Sequence, residues 1–546
     1  MKVEFKDKVI EIEESKKICE LFENEIKENE NTVVGAICNN GYVNLEYNIE
    51  KDSKIELLDT SKKEGMKIYR RTLVYIFAKA LRKLYPENSA TINYQLANST
   101  YCDLGDIEAT EEVVERIKEE MREIVRNKLP IKEVVMNREE AKKFYEETKT
   151  LRGKLQYDFE DNQEIHMYFC EDYFNYSYGV MANNTGDIRI FDIMKYDKGI
   201  LLRYPSIGNP NQMPKLMQNK KIRWALNEYN DIHKILNVNT IYKLNNAVEE
   251  NKIKDVIMLD EALHEKKIAN IADKIAKNRN IKMILIAGPS SSGKTTFAQR
   301  LGIQLKINKL NPVTISVDNY FVERKDNPKD ADGNYNFECI EAIDLKLFND
   351  HLTRLLKGEE VEMPQFDFIE GTKRYNGNKI KMKEDDVLVI EGIHCLNDRL
   401  TSSIPQDEKF KVYISALTVL NIDRYAKVSS SDTRLIRRMV RDYQFRGYSA
   451  KDTIKTWPKV GKGEVENIFP FQEDADVIFN TSLIYELGVL KPIAEEILGK
   501  ITNEDKEYAE AKRLLNILKY VKTIDEKLVP TNSLLKEFVG GGDFKY

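Results

Sequence analysis

The stretch from Met283 to Phe297, MILIAGPSSSGKTTF, constrains this chain more than any other. Its first five residues are a continuous apolar run, the pattern of a strand covered on both faces in a parallel sheet. Gly288-Pro-Ser290-Ser291-Ser292-Gly293-Lys294-Thr295 then matches G-x-x-x-x-G-K-[ST] in full, with Thr296 following. The spacing has a mechanism. Gly288 and Gly293 permit positive φ and close backbone approach, so successive N–H groups can turn inward around an anion. Lys294 adds a point charge for the β- and γ-phosphates, and the Thr295 hydroxyl is placed to hold Mg²⁺. From Thr295 to Lys306 the pattern turns helical, which sets a positive helix end beneath the phosphates. A chance Gly/Ser loop would lack these flanks. The motif predicts a loop that grips a nucleoside triphosphate.

At 546 residues the chain is too long for one core, and length alone predicts three or four domains. Charged residues make up 32 %, yet the formal net charge is only −5, which argues against bulk attraction to nucleic acid or membrane. No run of 18 apolar residues occurs, and the opening MKVEFKDKVIEIEE lacks the apolar core of a secretory signal. A cytoplasmic protein with no membrane partner is the expectation. Six scattered cysteines (Cys19, Cys38, Cys102, Cys170, Cys339, Cys395), without C-x-x-C, read as reduced thiols rather than a disulfide framework or zinc knuckle.

Past residue 236 strands and helices alternate. Apolar runs at Val313–Val317, Val387–Ile390, Lys411–Ile414 and Asp476–Phe479 join the Met283–Ala287 run. Five such strands with helices between them predict a parallel, helix-covered sheet whose ligands sit at the strands' carboxyl ends. Asp318 directly follows one strand, where a carboxylate facing the loop across the sheet edge can accept or orient a hydroxyl proton; an N-cap is its structural alternative. Glu391 ends another strand and suits an outer Mg²⁺ contact, the alternative being a strand-end turn. Arg434, Arg437, Arg438 and Arg441 share one helical face by their i, i+3, i+4, i+7 spacing. Like charges so placed repel unless an anion or acidic partner meets them, and guanidinium forks fit phosphate. A lid closing over triphosphate and excluding water is the functional expectation, a solvated charged helix the structural one.

These motifs resemble the uridine kinase and phosphoribulokinase family of P-loop kinases. The likeness covers Ile281 to about Pro492: GPSSSGKTT, the Val317-Asp-Asn-Tyr320-Phe aspartate, Gly333-Asn-Tyr-Asn336-Phe337, Met363-Pro-Gln-Phe366-Asp-Phe368, Val389-Ile-Glu-Gly, DTRLIRRMVRD and Ala475-Asp-Val-Ile. The resemblance implies that Lys294 and Thr295 bind ATP and Mg²⁺ and that Asp318 is the base. It also implies a lid of Arg434, Arg437 and Arg441, with Arg437 catalytic and Arg434, Arg438 and Arg441 on the triphosphate. Asp318, Tyr320, Glu338, Phe366 and Arg434 are the acceptor-side candidates. At the acceptor the pattern breaks. The family's N-F-D-H-P is Asn336-Phe337-Glu338-Cys339-Ile340 here, its P-x-Y-D-F tyrosine is Phe366, and its following histidine falls at Gly371. Losing two polar base readers removes the discrimination that buried hydrogen bonds supply. The implied activity is phosphoryl transfer to a primary hydroxyl of a nucleoside, with a sugar-like acceptor left open.

Residues 1–62 read as a small β-grasp: a hairpin over 2–12, a helix near Ser15 to Lys27, and strands at Thr32–Cys38, Tyr42–Leu45 and Lys54–Leu58. Together with Glu64-Gly-Met-Lys-Ile-Tyr69-Arg-Arg71-Thr and Gly179-Val-Met181-Ala-Asn-Asn-Thr185-Gly186, this half resembles threonyl-tRNA synthetases. In that family a TGS module precedes an editing-type domain, here residues 63–236. The family's histidine pair falls on Arg71 and Tyr75, and its later histidine on Met181. Cys170 alone cannot make a metal site, and His166 and His233 stand elsewhere. The half is therefore expected to have lost editing chemistry and to serve recognition, regulation or dimerisation. Glu111–Lys128 and Arg138–Thr148 read as surface helices, Tyr157–Tyr178 as an aromatic core or interface, and Pro205–Pro214 as a loop. The expected kinase-like unit spans 237–500, followed by a helical extension over 501–546. A second function from another class stays open: RNA or tRNA binding by the front half, controlled by nucleotide at the loop, with no small-molecule turnover.

Overall fold

The computed structural model describes residues 1–545 except 149–163, 217–219, 330–332, 334, 368–369 and 419, and describes only the backbone of 229–234. Tyr157, Phe159, Phe368 and the side chain of His233 therefore lie outside the described residues. The fold is multidomain, α/β and α+β. Residues 2–59 form a five-stranded sheet ordered Lys8–Glu11, Lys2–Phe5, Ser53–Asp59, Val33–Cys38, Gly41–Val43. Lys2–Phe5 and Ser53–Asp59 run parallel and the other pairs antiparallel, a β-grasp arrangement. The single expected helix is two short pieces, Ile18–Leu21 and Glu23–Glu28. The break falls at Phe22, whose ring drops into the core 4.5 Å from that of Phe5.

Helix α1 (Lys63–Leu84) packs Leu73, Ile76 and Phe77 against Ile117 and Met121 of the Glu111–Arg126 helix and against Ile200 and Leu202 of a four-stranded antiparallel sheet. The positions matching the synthetase histidines and cysteine do converge. Tyr75, Cys170 and Met181 share one small buried cluster with Ile131 and Tyr168. The Tyr75 hydroxyl donates to the carbonyls of Tyr168 (3.0 Å) and Tyr173 (3.2 Å), while Arg71 donates to the carbonyl of Val180 beside Gly179. What is a polar constellation in the synthetases is here apolar filling with its hydroxyl and guanidinium tied to backbone. The two halves share a core: Tyr94, Tyr101 and Leu201 pack with the second half, and Asn421 Nδ2 donates to Ile92 O at 2.6 Å.

The second half carries α2 (Ile253–Lys277) ahead of its strands. Its sheet is ordered β2 (Asn311–Ser316), β3 (Asp386–Glu391), β1 (Met283–Ala287), β4 (Lys409–Ser415), β5 (Val477–Asn480), parallel throughout. Helix α3 (Lys294–Ile307) leaves the loop after β1, while α4 (Ser430–Phe445), α5 (Ala450–Asn467) and α6 (Glu486–Leu498) follow β4 and flank β5. Every residue of β1 is buried, as its apolar run requires. Residues 501–545, expected as an extension, instead complete this core. Helix α7 (Tyr508–Leu518) buries Leu514 and Leu518, and the short α8 (Lys536–Val539) buries Phe538. Arg513 of α7 pairs with Glu510 and with Asp432 in the first turn of α4, and Lys67 of α1 reaches Glu510 at 3.6 Å. That chain of charges ties the front half to the arginine helix. Among the described residues no helix is long and apolar enough to cross a membrane.

Asp260 on α2 shows how this core responds to pH. It is fully buried and accepts the Ile484 N–H at 2.8 Å. Burial pushes its carboxyl up to about 8, with Glu261 and Glu486 adding to the effect and Lys267 opposing it. Unfolded, an aspartate releases its proton near pH 4. The folded state therefore holds a proton that the unfolded chain gives up between about pH 4 and 8, so stability falls as pH rises through that window. Asp260→Asn keeps an acceptor for Ile484 and should flatten this slope, leaving the variant more stable by on the order of 1–3 kcal/mol at pH 9 and about equal at pH 5. Urea midpoints at the two pH values check it; equal slopes for variant and parent would contradict the assignment.

Candidate active site

The loop after β1 stands where the pattern puts it, at the carboxyl ends of the strands, but its backbone differs in one respect. Gly293 has φ 83°, and Ser291 rather than Gly288 supplies the second left-handed residue, at 58°. Gly288 is needed for closeness: a Cβ there would lie 2.1 Å from the carbonyl oxygen of Ile414. Among the described residues the buried hydroxyls of Ser291 and Ser292 meet no hydrogen-bond partner, so the loop carries spare donors. A polyphosphate fits such a cradle. Lys294 Nζ folds back on the carbonyls of Gly288 (3.0 Å) and Pro289 (3.2 Å), and Thr295 is half-buried in the first turn of α3. Two further loop donors meet carboxylates. The Ser290 N–H donates to Glu464 of α5 at 3.1 Å, and the Thr296 hydroxyl donates to Glu537 of α8 at 2.7 Å.

Three more carboxylates lie within electrostatic reach of Lys294. Asp318 sits in the turn after β2, and Glu391 at the end of β3 is paired in register with Ile286 of β1. Asp318 is thus two strands from the loop, with β3 between. Packing desolvates its carboxyl and raises its pKa, while Lys294 and Arg446 draw it down, and the side chain stays open to solvent. Burial raises Glu391 to about 7; Lys294 opposes this, and the charges of Asp318 and Glu537 reinforce it. Glu338 is raised by burial and by Glu464, and lowered by Arg438 and Lys294. One ammonium therefore faces carboxylates from three separate segments.

The arginine face of α4 does turn to the loop, but it is packed there rather than standing off as a lid. Arg434, 5 % exposed, forks onto Glu464 and donates to Ser290 O at 3.1 Å. Arg437 has no exposed surface; it binds Glu486 and Thr481, donates to Ser291 O at 3.4 Å and lies over the Phe538 ring. In this geometry Arg437 braces the loop's backbone and does not reach into the cradle, against the catalytic expectation. Arg438 is more open and donates to Ser290 Oγ at 2.9 Å. Arg441 pairs with Asp442. The acidic partners that relieve the stripe's repulsion are Glu464, Glu486 and Asp442, and only Asp442 is near in sequence.

On the acceptor side Glu338 lies against α5, where a Cβ on Gly463 would meet it. Tyr320 and Phe366 do not line the opening as expected. The Tyr320 hydroxyl is buried against His351 Nδ1 at 3.0 Å, and Phe366 is 5 % exposed with its ring 5.6 Å from Phe321. Both are core residues: Tyr320 turns its ring inward beside Phe348 and Met363, and Phe366, on the Glu360–Asp367 strand, packs with Phe321. Arg324 occupies the space beside Gly371, whose φ is 75°. Sequence inspection passed over Glu464 and Glu537, since a lone glutamate in a helix carries no local signal. Arg446, whose charge reaches Asp318, followed the arginine block and was the nearest to being legible.

A family model described as the Phosphoribulokinase / Uridine kinase family matches residues 283–484. The uridine kinase of Mycoplasma genitalium is 33 % identical over 178 residues, which cover 33 % of this chain and 74 % of that protein. The chain belongs to the phosphoribulokinase/uridine kinase family. A second member, the uridine kinase of Deinococcus deserti, is 29 % identical over 197 residues, 36 % of this chain and 86 % of that one. The family does not account for the whole chain. The threonine–tRNA ligase of Clostridium kluyveri is 30 % identical over 181 residues, 33 % of this chain but only 28 % of the ligase. The chain thus spans little more than a quarter of such a ligase and fuses that likeness to a kinase-family half.

Proposed function

We propose that this protein transfers the terminal phosphoryl group of ATP to a primary hydroxyl of a nucleoside-class acceptor. The observation that carries this is the convergence of Asp318, Glu391 and Glu338 on Lys294 beside the glycine-bracketed loop. Loop N–H groups and Lys294 hold the triphosphate. Asp318, with its raised pKa and open path to solvent, takes the acceptor's proton. Arg438 and Arg446 supply positive charge around the transferring group, and Glu338 holds the acceptor's other hydroxyls. Thr295 and Glu391 would hold Mg²⁺, which when bound neutralises charge developing on the phosphates. Membership of a family that includes uridine kinases supports the class, while Phe366 and Gly371 supply no polar reader for a pyrimidine edge.

Coupled ADP release with a panel of nucleosides and pentoses tests the acceptor. Lys294→Ala should lower turnover about 10²–10³-fold, as loss of one preorganised cation does; unchanged turnover would remove the loop from the reaction. The tRNA-ligase likeness of the front half favours a second reading, a nucleotide-controlled RNA-binding protein. Salt-dependent tRNA binding that responds to ATP, with no acceptor phosphorylated, would support it over the kinase.

A further inference from the structure

The segment from Pro530 to Asp543 lies across the triphosphate loop, and nothing in phosphoryl transfer asks for it there. Leu534 sits on Gly293, where a Cβ would meet its side chain at 2.6 Å. Phe538 lies beneath the Arg437 guanidinium at 5.1 Å, and its carbonyl accepts from Gln444 of α4 at 2.9 Å. Between them Glu537, 9 % exposed, accepts from Thr296 twice, from the hydroxyl at 2.7 Å and from the backbone N–H at 3.4 Å. Thr296 is the third residue of α3, so this N–H is one of the first-turn donors that a helix offers to an outside acceptor. Such donors at a glycine-rich loop are where the α- and β-phosphates are cradled. A carboxylate already fills that place.

Two negative groups cannot share one N–H and one hydroxyl at hydrogen-bond distance. Resting on the reading that this loop binds triphosphate, we propose that the C-terminal segment is an autoinhibitory strap: Glu537 stands in for a nucleotide phosphate, and triphosphate must displace it. The strap has a turn residue or glycines at each end about which it can swing. Its helix α8 is a single turn, bounded by Pro530 upstream and by Gly540 and Gly541 downstream, both at positive φ (84° and 69°). Its other ties to the body include the Ser533 hydroxyl beside that of Tyr485 at 3.3 Å, Gln299 Nε2 donating to Lys545 O at 2.9 Å, and the buried Leu535 and Phe538, which displacement must draw out; Thr531 and Asp543 pair within the strap itself at 2.7 Å. The closed form lowers apparent affinity by the fraction of molecules it holds closed. A loop covered about nine-tenths of the time binds about tenfold more weakly than an open one.

Equilibrium binding of Mg-ATP to the full chain, beside Glu537→Gln and Glu537→Ala, tests this. Gln keeps the packing and a neutral acceptor, so it should fold as the parent does and bind about tenfold tighter. Hydrogen exchange of residues 530–545 in the unaltered protein is the second measurement. Exchange should quicken when Mg-ATP saturates the loop and stay unchanged by Mg-ATP in Lys294→Ala at the same concentration. Equal affinity in parent and both variants, or exchange that slows with nucleotide, overturns the strap and leaves the triphosphate loop standing. Binding in none of the three proteins overturns the triphosphate reading itself.

Discussion

Replacing Asp318 by asparagine is expected to lower kcat by about 10²–10⁴, the range over which a positioned proton acceptor contributes. Asparagine matches the carboxylate in size and keeps one oxygen in place, so it removes the basic site without emptying the turn after β2. The expectation rests on electrostatics as well as place. Asp318 feels Lys294 and Arg446 as opposing charges and the surrounding protein as a desolvating wall. A carboxylate so held is more basic than an exposed one and so better able to take a proton. Since Asp318 is two strands from the loop, affinity for triphosphate should move less than threefold, while turnover falls with every acceptor that reacts. Single-turnover and steady-state rates of ADP release check this. Turnover near the parent value would remove Asp318 as base and shift the role to Glu338, the other acceptor-side carboxylate beside Lys294.

The sheet was legible because each of its strands is short, apolar and bounded by turn residues; the observed bounds lie within two residues of those read from the runs. The loop was legible because its chemistry is local, each donor a few residues from the next. What was not legible is long-range. The arginine spacing required acidic partners, but nothing local says that Glu464 and Glu486 supply them from two other helices. Tyr320 follows a catalytic candidate by two residues, and only the packing of His351 and Phe348 shows that its ring turns inward. The terminal helices read as an extension because their apolar faces have no local partner; that partner is the loop end of the sheet, some 240 residues back in the chain.

Arg437→Ala is expected to be the most destabilising single substitution in the loop's surroundings. It would leave Glu486, whose side chain is 3 % exposed, without its cation. An uncompensated buried charge of this kind costs about 3–5 kcal/mol. Among the described residues Glu486 would keep the Ser482 hydroxyl (3.0 Å) and the Leu483 N–H (3.1 Å), and the loop would lose its tie at Ser291 O. Thermal unfolding should show the drop, and turnover should fall with it, which alone cannot separate bracing from catalysis. The pair Arg437→Met with Glu486→Gln does. Removing both charges together is near neutral for stability in buried pairs, and Met refills the volume over Phe538. If Arg437 acts chiefly by neutralising the buried Glu486 and filling the space over Phe538, the double variant regains stability and most of its turnover. A double variant that is stable but still more than about 100-fold slow would mean that the guanidinium itself is required, at Ser291 O or at the phosphates.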